Sequence, residues 1–101
     1  MKIVLTNQAL ESLNSSFLFM IEMEGVPYSK IDEIRDRIKE RIEKLPITPF
    51  QGQRELFLIN SKKEYRRIVE GNFKIIYYIE KDEIFITDIF DARQDPEKMK
   101  G

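Results

Sequence analysis

The side chains able to do acid–base chemistry in this chain are carboxylates, amines, guanidiniums and phenols, because the sequence contains neither histidine nor cysteine. Without histidine, the usual general base near neutral pH and the usual zinc ligand are both missing. Without cysteine there is no thiolate nucleophile and no disulfide, a composition that fits a reducing cytosolic setting. Any acid–base chemistry must therefore use Glu, Asp, Lys, Tyr or Arg, and we expect neither a metal nor a cofactor.

Basic side chains concentrate between residues 54 and 74. Here the basic residues outnumber the acidic ones, whereas acidic residues prevail from Glu80 onward and the whole chain has a formal net charge of -1. The basic residues of this stretch are Arg54, Lys62, Lys63, Arg66, Arg67 and Lys74. A local basic patch on a nearly neutral domain can steer an anionic partner. The overall charge alone gives no case for nucleic-acid binding.

Most of these cations lie in or beside a stretch, YRRIVEGNFKIIYYIEKDEIFITDIF, that predicts three β-strands joined by tight turns. The strands are predicted over residues 65–70, 73–80 and 83–90. Side chains alternate between the two faces of a strand, so Lys74 and Tyr78 fall on the face opposite the apolar one. We place Arg66 on that same open face, which makes it cationic.

Upstream of this meander, the pattern predicts one strand over residues 2–5 and two helices. Apolar residues recur at three- and four-residue spacing from about residue 7 to 22, and again from Ser29 to the proline at 46. Two helices with a short connection form a hairpin that can cover one face of a sheet. The predicted fold is a single α+β domain over residues 1–101, ordered β-α-α-β-β-β, with an antiparallel sheet packed on a helical hairpin.

This order of elements resembles the RelE/ParE superfamily of toxins from bacterial type II toxin–antitoxin modules. The likeness covers nearly the whole chain. Its most specific parts are the Arg-Arg-Ile of the first meander strand, the Gly-Asn-Phe-Lys-Ile-Ile-Tyr of the second, and the C-terminal Arg93-x-Asp95-Pro96. The resemblance implies a sheet with a curved, cationic open face, and a cognate antitoxin that wraps the toxin and blocks its site.

The resemblance implies one of two activities: cleavage of mRNA on the ribosome, as in RelE-like and YoeB-like members, or poisoning of DNA gyrase, as in ParE-like members. RNA cleavage needs a base, a cation at the phosphorane and an acid. On the YoeB-like pattern, Glu55 falls at the general base, and Arg66 and Arg67 fall at a pair of arginines. Lys74 falls at the arginine that faces the scissile phosphate, where lysine keeps the charge but loses the bidentate geometry.

The C-terminal end departs from the nuclease pattern. YoeB-like enzymes carry a general-acid histidine there, whereas this chain has Asp91, Ala92 and Arg93. Arg93 can stabilise charge but is a poor proton donor, because it stays protonated. The paired lysines of RelE-like members are half matched, since Arg66 fits and Ile68 does not. The sequence FDARQDP matches the Phe-x-x-Arg-x-Asp-Pro of ParE-like members, which need no nucleic-acid active site.

Each candidate residue also has a structural interpretation. Glu55 is either a general base or an exposed glutamate at the start of a strand. Lys74 and Arg66 bind phosphate or form a cationic edge that discourages aggregation. Tyr78 is a candidate for stacking on a base, and Arg93 contacts a target or pairs with a nearby aspartate. The candidates for binding a target or a nucleic acid are Arg54, Arg66, Arg67, Lys74, Tyr78 and Arg93. If the chain is a nuclease, the candidates for catalysis are Glu55, Lys74 and Arg93.

The sequence thus predicts a cytoplasmic toxin neutralised by a cognate antitoxin, with ParE-like gyrase poisoning favoured over RelE/YoeB-like mRNA cleavage. A catalytically silent member that acts as a binding module is a third hypothesis. The start of the chain is too polar for a signal peptide, and no apolar run approaches membrane-spanning length. Both a homodimer and a toxin–antitoxin hetero-oligomer fit the resemblance.

Overall fold

The computed structural model describes residues 1–101 and contains two α-helices and a five-stranded sheet. In chain order the elements are β1 (Lys2–Leu5), α1 (Asn7–Glu22), α2 (Tyr28–Lys44), β2 (Gln53–Arg54), β3 (Arg66–Glu70), β4 (Phe73–Glu80) and β5 (Glu83–Asp91). Short 3-10 turns lie at Leu45–Ile47, Leu56–Leu58 and Pro96–Lys98. The strand order is β1-β5-β4-β3-β2. The predicted α+β fold, with two helices followed by an antiparallel meander, is confirmed.

Two features of the sheet go beyond the prediction. β1 pairs with β5 in parallel, so the sheet as a whole is mixed and only its other pairs are antiparallel. A parallel pair needs a long crossover, which the two helices and the rest of the meander supply here. The second addition is β2, a two-residue strand on the far edge. The apolar run from Leu56 to Ile59 forms a 3-10 turn with an exposed surface.

The main core lies between the two helices and one side of the sheet, which we call the helix side. Phe17 of α1 packs edge-on against Phe73 of β4, with 5.9 Å between the ring centroids. Ile38 of α2 and Ile75 of β4 are buried in the same cluster. Thr6 begins α1: its Oγ1 accepts a hydrogen bond from the backbone N–H of Ala9 and donates one to the carbonyl of Ile86. This cap therefore ties the start of the helix to β5. Neither helix is long and apolar enough to cross a bilayer.

An extra residue in β5 decides which of its side chains face the core. Tyr77 pairs with Ile86 and Ile76 pairs with Asp88, so Thr87 is a β-bulge. Strict alternation would have placed Asp88 on the side of Ile86. The bulge reverses the alternation of side chains between the two faces. Asp88 therefore faces the opposite side of the sheet, which we call the open side.

The open side carries its own small core. Tyr65, Ile76, Phe90 and Met99 form a buried cluster there, and Met99 comes from the C-terminal segment. The backbone N–H of Lys100 donates a 2.8 Å hydrogen bond to Asp88 Oδ2. These contacts hold the last residues against the sheet.

Asp88 is an unusual member of this side because it is a fully buried carboxylate. Its Oδ1 has no hydrogen-bond partner, and a buried polar atom without a partner costs free energy. Burial raises the pKa of Asp88 above its ordinary value, although the hydrogen bond from the Lys100 N–H acts in the opposite direction. The folded chain therefore binds a proton at this site more readily than the unfolded chain does.

Replacing Asp88 with Asn tests this linkage. The stability that arises from protonated Asp88 is fully present below the unfolded pKa and is lost as the pH rises through the raised folded pKa. We expect Asp88→Asn to be more stable than the wild type by about 1 kcal/mol at pH 7, because the buried charge is removed. The advantage should shrink toward pH 4. Urea unfolding of both proteins at the two pH values measures this, and an equal difference at both would contradict it.

Candidate functional site

The turn between β3 and β4 determines which basic side chains share a face. Gly71 adopts a positive φ of 57° in a two-residue loop, so Glu70 pairs with Phe73 and the register follows from there. Directly opposed residues of an antiparallel pair lie on the same face. Val69 is opposite Lys74, whereas Arg66 is opposite Tyr77 on the helix side.

The prediction that Arg66 lies on the open face beside Lys74 was therefore wrong. Arg67, which is opposite Ile76, shares the face of Lys74. The two-residue loop is visible in the sequence at Gly71-Asn72, so the register could have been counted from it.

Glu55 is the centre of the open-side site. Lys74 Nζ donates a 3.1 Å hydrogen bond to its Oε1, and Arg67 Nε lies 3.9 Å from the same oxygen. Its Oε2 accepts a 3.0 Å hydrogen bond from the backbone N–H of Phe57, which caps the 3-10 turn. The carboxylate is 1% exposed, while the two cations are about one-fifth exposed. The exposed glutamate of the sequence prediction is instead a buried, ion-paired one.

This geometry limits what Glu55 can do chemically. A general base must come within about 2.6–3.2 Å of the proton that it removes. Both carboxylate oxygens are already engaged by the protein, and almost none of the side chain is open to solvent. In the observed arrangement Glu55 positions Lys74 and Arg67 and fastens the turn.

Arg66 and Arg54 form a second group around Glu64. Arg66 donates to Glu64 Oε2 at 3.0 Å and to the carbonyl of Gly52 at 2.8 Å, while Arg54 lies 3.4 Å from Glu64 Oε1. The phenol of Tyr77 donates to the carbonyl of Pro49 and accepts from the N–H of Gly52. Arg66 therefore supports the loop that leads into β2.

Tyr78 lies on the open side, as predicted, but within an aromatic cluster. Its ring stacks on Phe85 with the centroids 4.9 Å apart and meets Tyr65 edge-on at 5.6 Å. Lys63 Nζ lies 5.2 Å from the same ring and forms an ion pair with Glu80. Stacking on a nucleobase would have to compete with these contacts.

Arg93 lies at a third site, beside the C-terminal end of α1. It pairs with Asp91 at 2.7 Å and with Glu24 at 3.3 Å, so the structural alternative, a pair with a nearby aspartate, is confirmed. Burial acts to raise the pKa of Asp91, yet the hydrogen bonds and charge of Arg93 outweigh it and hold that pKa below its ordinary value. The same pair raises the pKa of Arg93. Arg93 lines a polar cleft of about 420 Å³ together with Ser15 and Ser16.

The three proposed catalytic residues therefore do not lie at one site. Glu55 and Lys74 are in contact, but no hydrogen bond or ion pair links either of them to Arg93, which binds carboxylates elsewhere. No group of three or more carboxylates is placed to hold a metal ion.

The sequence analysis missed an exposed apolar surface next to Glu55. We call it the Phe57 patch and define it as Leu56, Phe57, Ile59 and Val69, whose residues are 65%, 62%, 47% and 51% exposed. Lys74 connects its parts, because Lys74 is opposite Val69 and its Nζ lies 5.3 Å from the centre of the Phe57 ring. The apolar run at 56–59 was the available signal, but its residue types favoured burial.

The ion pair of Glu55 with Lys74 allows a direct test of this site. Lys74→Met keeps the length of the side chain and leaves the buried carboxylate with only the more distant Arg67. We expect a loss of about 3 kcal/mol of unfolding free energy, since breaking a buried pair from one side leaves an uncompensated charge. The double variant Glu55→Gln/Lys74→Met should regain much of it. Lys39→Met on the exposed face of α2 is the control, and denaturant unfolding is the measurement; an equally small effect in both would rule out a structural role for the pair.

Comparison with known proteins gave two findings. Residues 3–96 match the model of a family described as the ParE toxin of type II toxin-antitoxin system, parDE. A solved structure described as the chromosomal ParDE TA system from P. aeruginosa is similar, with a TM-score of 0.67 and 17% sequence identity over 91% of this chain and 96% of that chain. At this identity, the structural likeness shows the fold. The search of curated proteins gave no significant match.

Proposed function

The chain belongs to the ParE toxin family of type II toxin–antitoxin systems, and from this premise we propose that it arrests growth by binding DNA gyrase rather than by cleaving RNA. As a toxin of this type, it has a cognate antitoxin as its partner. Gyrase as the target comes from the ParE-like resemblance of the C-terminal motif. A gyrase poison acts in the cytoplasm. There the antitoxin neutralises it by forming a hetero-oligomer with it.

One observation carries the proposal: the groups that RNA cleavage needs are not assembled. Such cleavage requires a base at the 2′-hydroxyl and an acid at the leaving 5′-oxygen. The only base candidate, Glu55, is buried and engaged by its own cations. Arg93 is held protonated by Asp91 and Glu24, and there is no histidine to replace it.

The ion pairing of the basic stretch supports the same conclusion. Arg67 and Lys74 share Glu55, and Arg54 and Arg66 share Glu64. Affinity for a phosphate backbone grows with the number of phosphates that free cations neutralise. Four cations that share two carboxylates provide a weak phosphate site, so contact with a protein surface suits this region better.

Induction of the chain in a bacterial host tests the proposal. Without the antitoxin gene we expect growth arrest, a DNA-damage response and intact mRNA, and coexpression of the antitoxin should restore growth. Purified chain added to gyrase and plasmid should trap cleaved DNA, and omission of gyrase should abolish it. Codon-linked mRNA cleavage within minutes of induction would refute the proposal and support the nuclease. A well-folded chain without any effect on growth would indicate a silent binding module.

Glu55→Gln separates the two mechanisms at the residue level. Loss of a general base lowers a rate by about 100- to 10,000-fold. If Glu55 only positions its neighbours, we expect growth arrest per folded molecule to stay within about threefold of the wild type, because the single amide oxygen of Gln can still accept the hydrogen bond of the Phe57 N–H and keep the turn capped. Circular dichroism gives the folded fraction. A hundredfold loss of mRNA cleavage by a fully folded variant would assign catalysis to Glu55, whereas a loss of gyrase binding alone would reflect damage to the turn that Glu55 caps.

A further inference from the structure

The Phe57 patch exposes more large apolar side chains within a few residues than an ordinary turn does. Leu56 and Phe57 are both more than three-fifths exposed, and Val69 adds a half-exposed side chain from the adjoining strand. Contiguous exposed apolar surface on a soluble protein marks an interaction site more often than scattered single residues do.

The patch is held rigidly. Glu55 caps its turn from below, and the turn closes on itself through the backbone N–H of Leu58 and the carbonyl of Glu55. Leu58 faces inward and packs on the buried open-side cluster. Because Leu58 packs inward, the turn directs Leu56 and Phe57 toward solvent. Binding to such a preformed surface loses little conformational entropy.

The charges beside the patch indicate the chemistry of its partner. Arg67 and Lys74 together carry one charge more than Glu55 neutralises. An aliphatic and aromatic surface bordered by net positive charge suits a polypeptide segment with an apolar side chain flanked by carboxylates. RNA fits less well, because Phe57 is the only ring of the patch, and its other three residues, Leu56, Ile59 and Val69, offer no surface on which a base could stack.

From these observations we infer that the Phe57 patch is the surface that grips the target protein, through an acidic segment whose apolar side chain rests against Phe57. The inference rests on the proposed function, because a toxin without catalysis must act by holding its target. It adds the site of contact and the chemistry of the contacted segment.

A second exposed apolar pair serves as a matched control. Phe19 and Met23 lie one helical turn apart at the end of α1 and are 55% and 73% exposed. Their charged neighbours in sequence are Glu22 and Glu24, and Glu24 already pairs with Arg93. Phe19 also lines the cleft of Arg93, where Glu24 and Asp91 balance Arg93 and Lys98. Without net positive charge, this surface does not suit an acidic segment.

Serine substitutions compare the two surfaces. We expect Phe57→Ser to abolish growth arrest and to weaken binding of the purified chain to gyrase at least tenfold, while its unfolding midpoint stays that of the wild type. Phe19→Ser should retain both growth arrest and gyrase binding. Growth arrest by Phe57→Ser at the wild-type level would overturn the inference, as would a loss of antitoxin affinity in place of target affinity.

A pair of charge variants at Val69 tests the sign of the partner's charge. Val69→Glu and Val69→Lys both remove the apolar side chain from the same half-exposed position. We expect the Glu variant to bind gyrase at least fivefold more weakly than the Lys variant at low salt, with the ratio falling toward one at 1 M salt. Equal affinities at low salt, or the reverse order, would contradict an acidic segment.

The outcomes separate this inference from the proposed function. A wild-type chain that arrests growth without trapping gyrase refutes gyrase as the target, while the comparison of Phe57→Ser with Phe19→Ser still tests the surface through growth arrest. Binding of a single-stranded RNA oligonucleotide that is lost in Phe57→Ser would replace the protein partner with a nucleic acid.

Discussion

A single buried carboxylate organises the far edge of the sheet. The Glu55 carboxylate pairs with Arg67 of β3 and Lys74 of β4 and accepts a hydrogen bond from the Phe57 N–H of a 3-10 turn. The backbone N–H of Glu55 donates to the carbonyl of Tyr65. A charge this well buried is stable only when its partners stay in place. The turn, the two strands and the cations are consequently positioned together, and the Phe57 patch depends on all of them.

Charged side chains that serve two partners of opposite charge recur across the molecule. Glu64 lies between Arg54 and Arg66, and Arg93 binds both Asp91 and Glu24. The basic stretch is therefore far less cationic in its effect than its composition indicates. What remains for recognition is a modest positive field together with apolar side chains on a rigid frame, a combination suited to protein surfaces.

Periodic features of the sequence predicted the fold well, because helix stripes and strand alternation report local geometry. The helices and the meander strands lie within a few residues of their expected bounds. Three features depended on more than periodicity. The face of Arg66 follows from the two-residue loop, the orientation of Asp88 follows from the bulge at Thr87, and the burial of Glu55 follows from tertiary contacts that no local pattern reports. The candidate site was accordingly found in part: Lys74 and Glu55 are in contact, whereas Arg93 belongs to a different part of the surface.

The parallel pairing of β1 with β5 has a consequence for how the chain is made. Thr6 and the carbonyl that it contacts on β5 are 80 residues apart, so the start of the chain reaches its place only after nearly all of it has been synthesised. At roughly 5–20 residues per second, that interval is about 4–16 s. Throughout it, the apolar stripes of both helices lack the sheet that buries them. The nascent chain is most vulnerable to aggregation and proteolysis in these seconds, and a partner that binds the helices early would protect it.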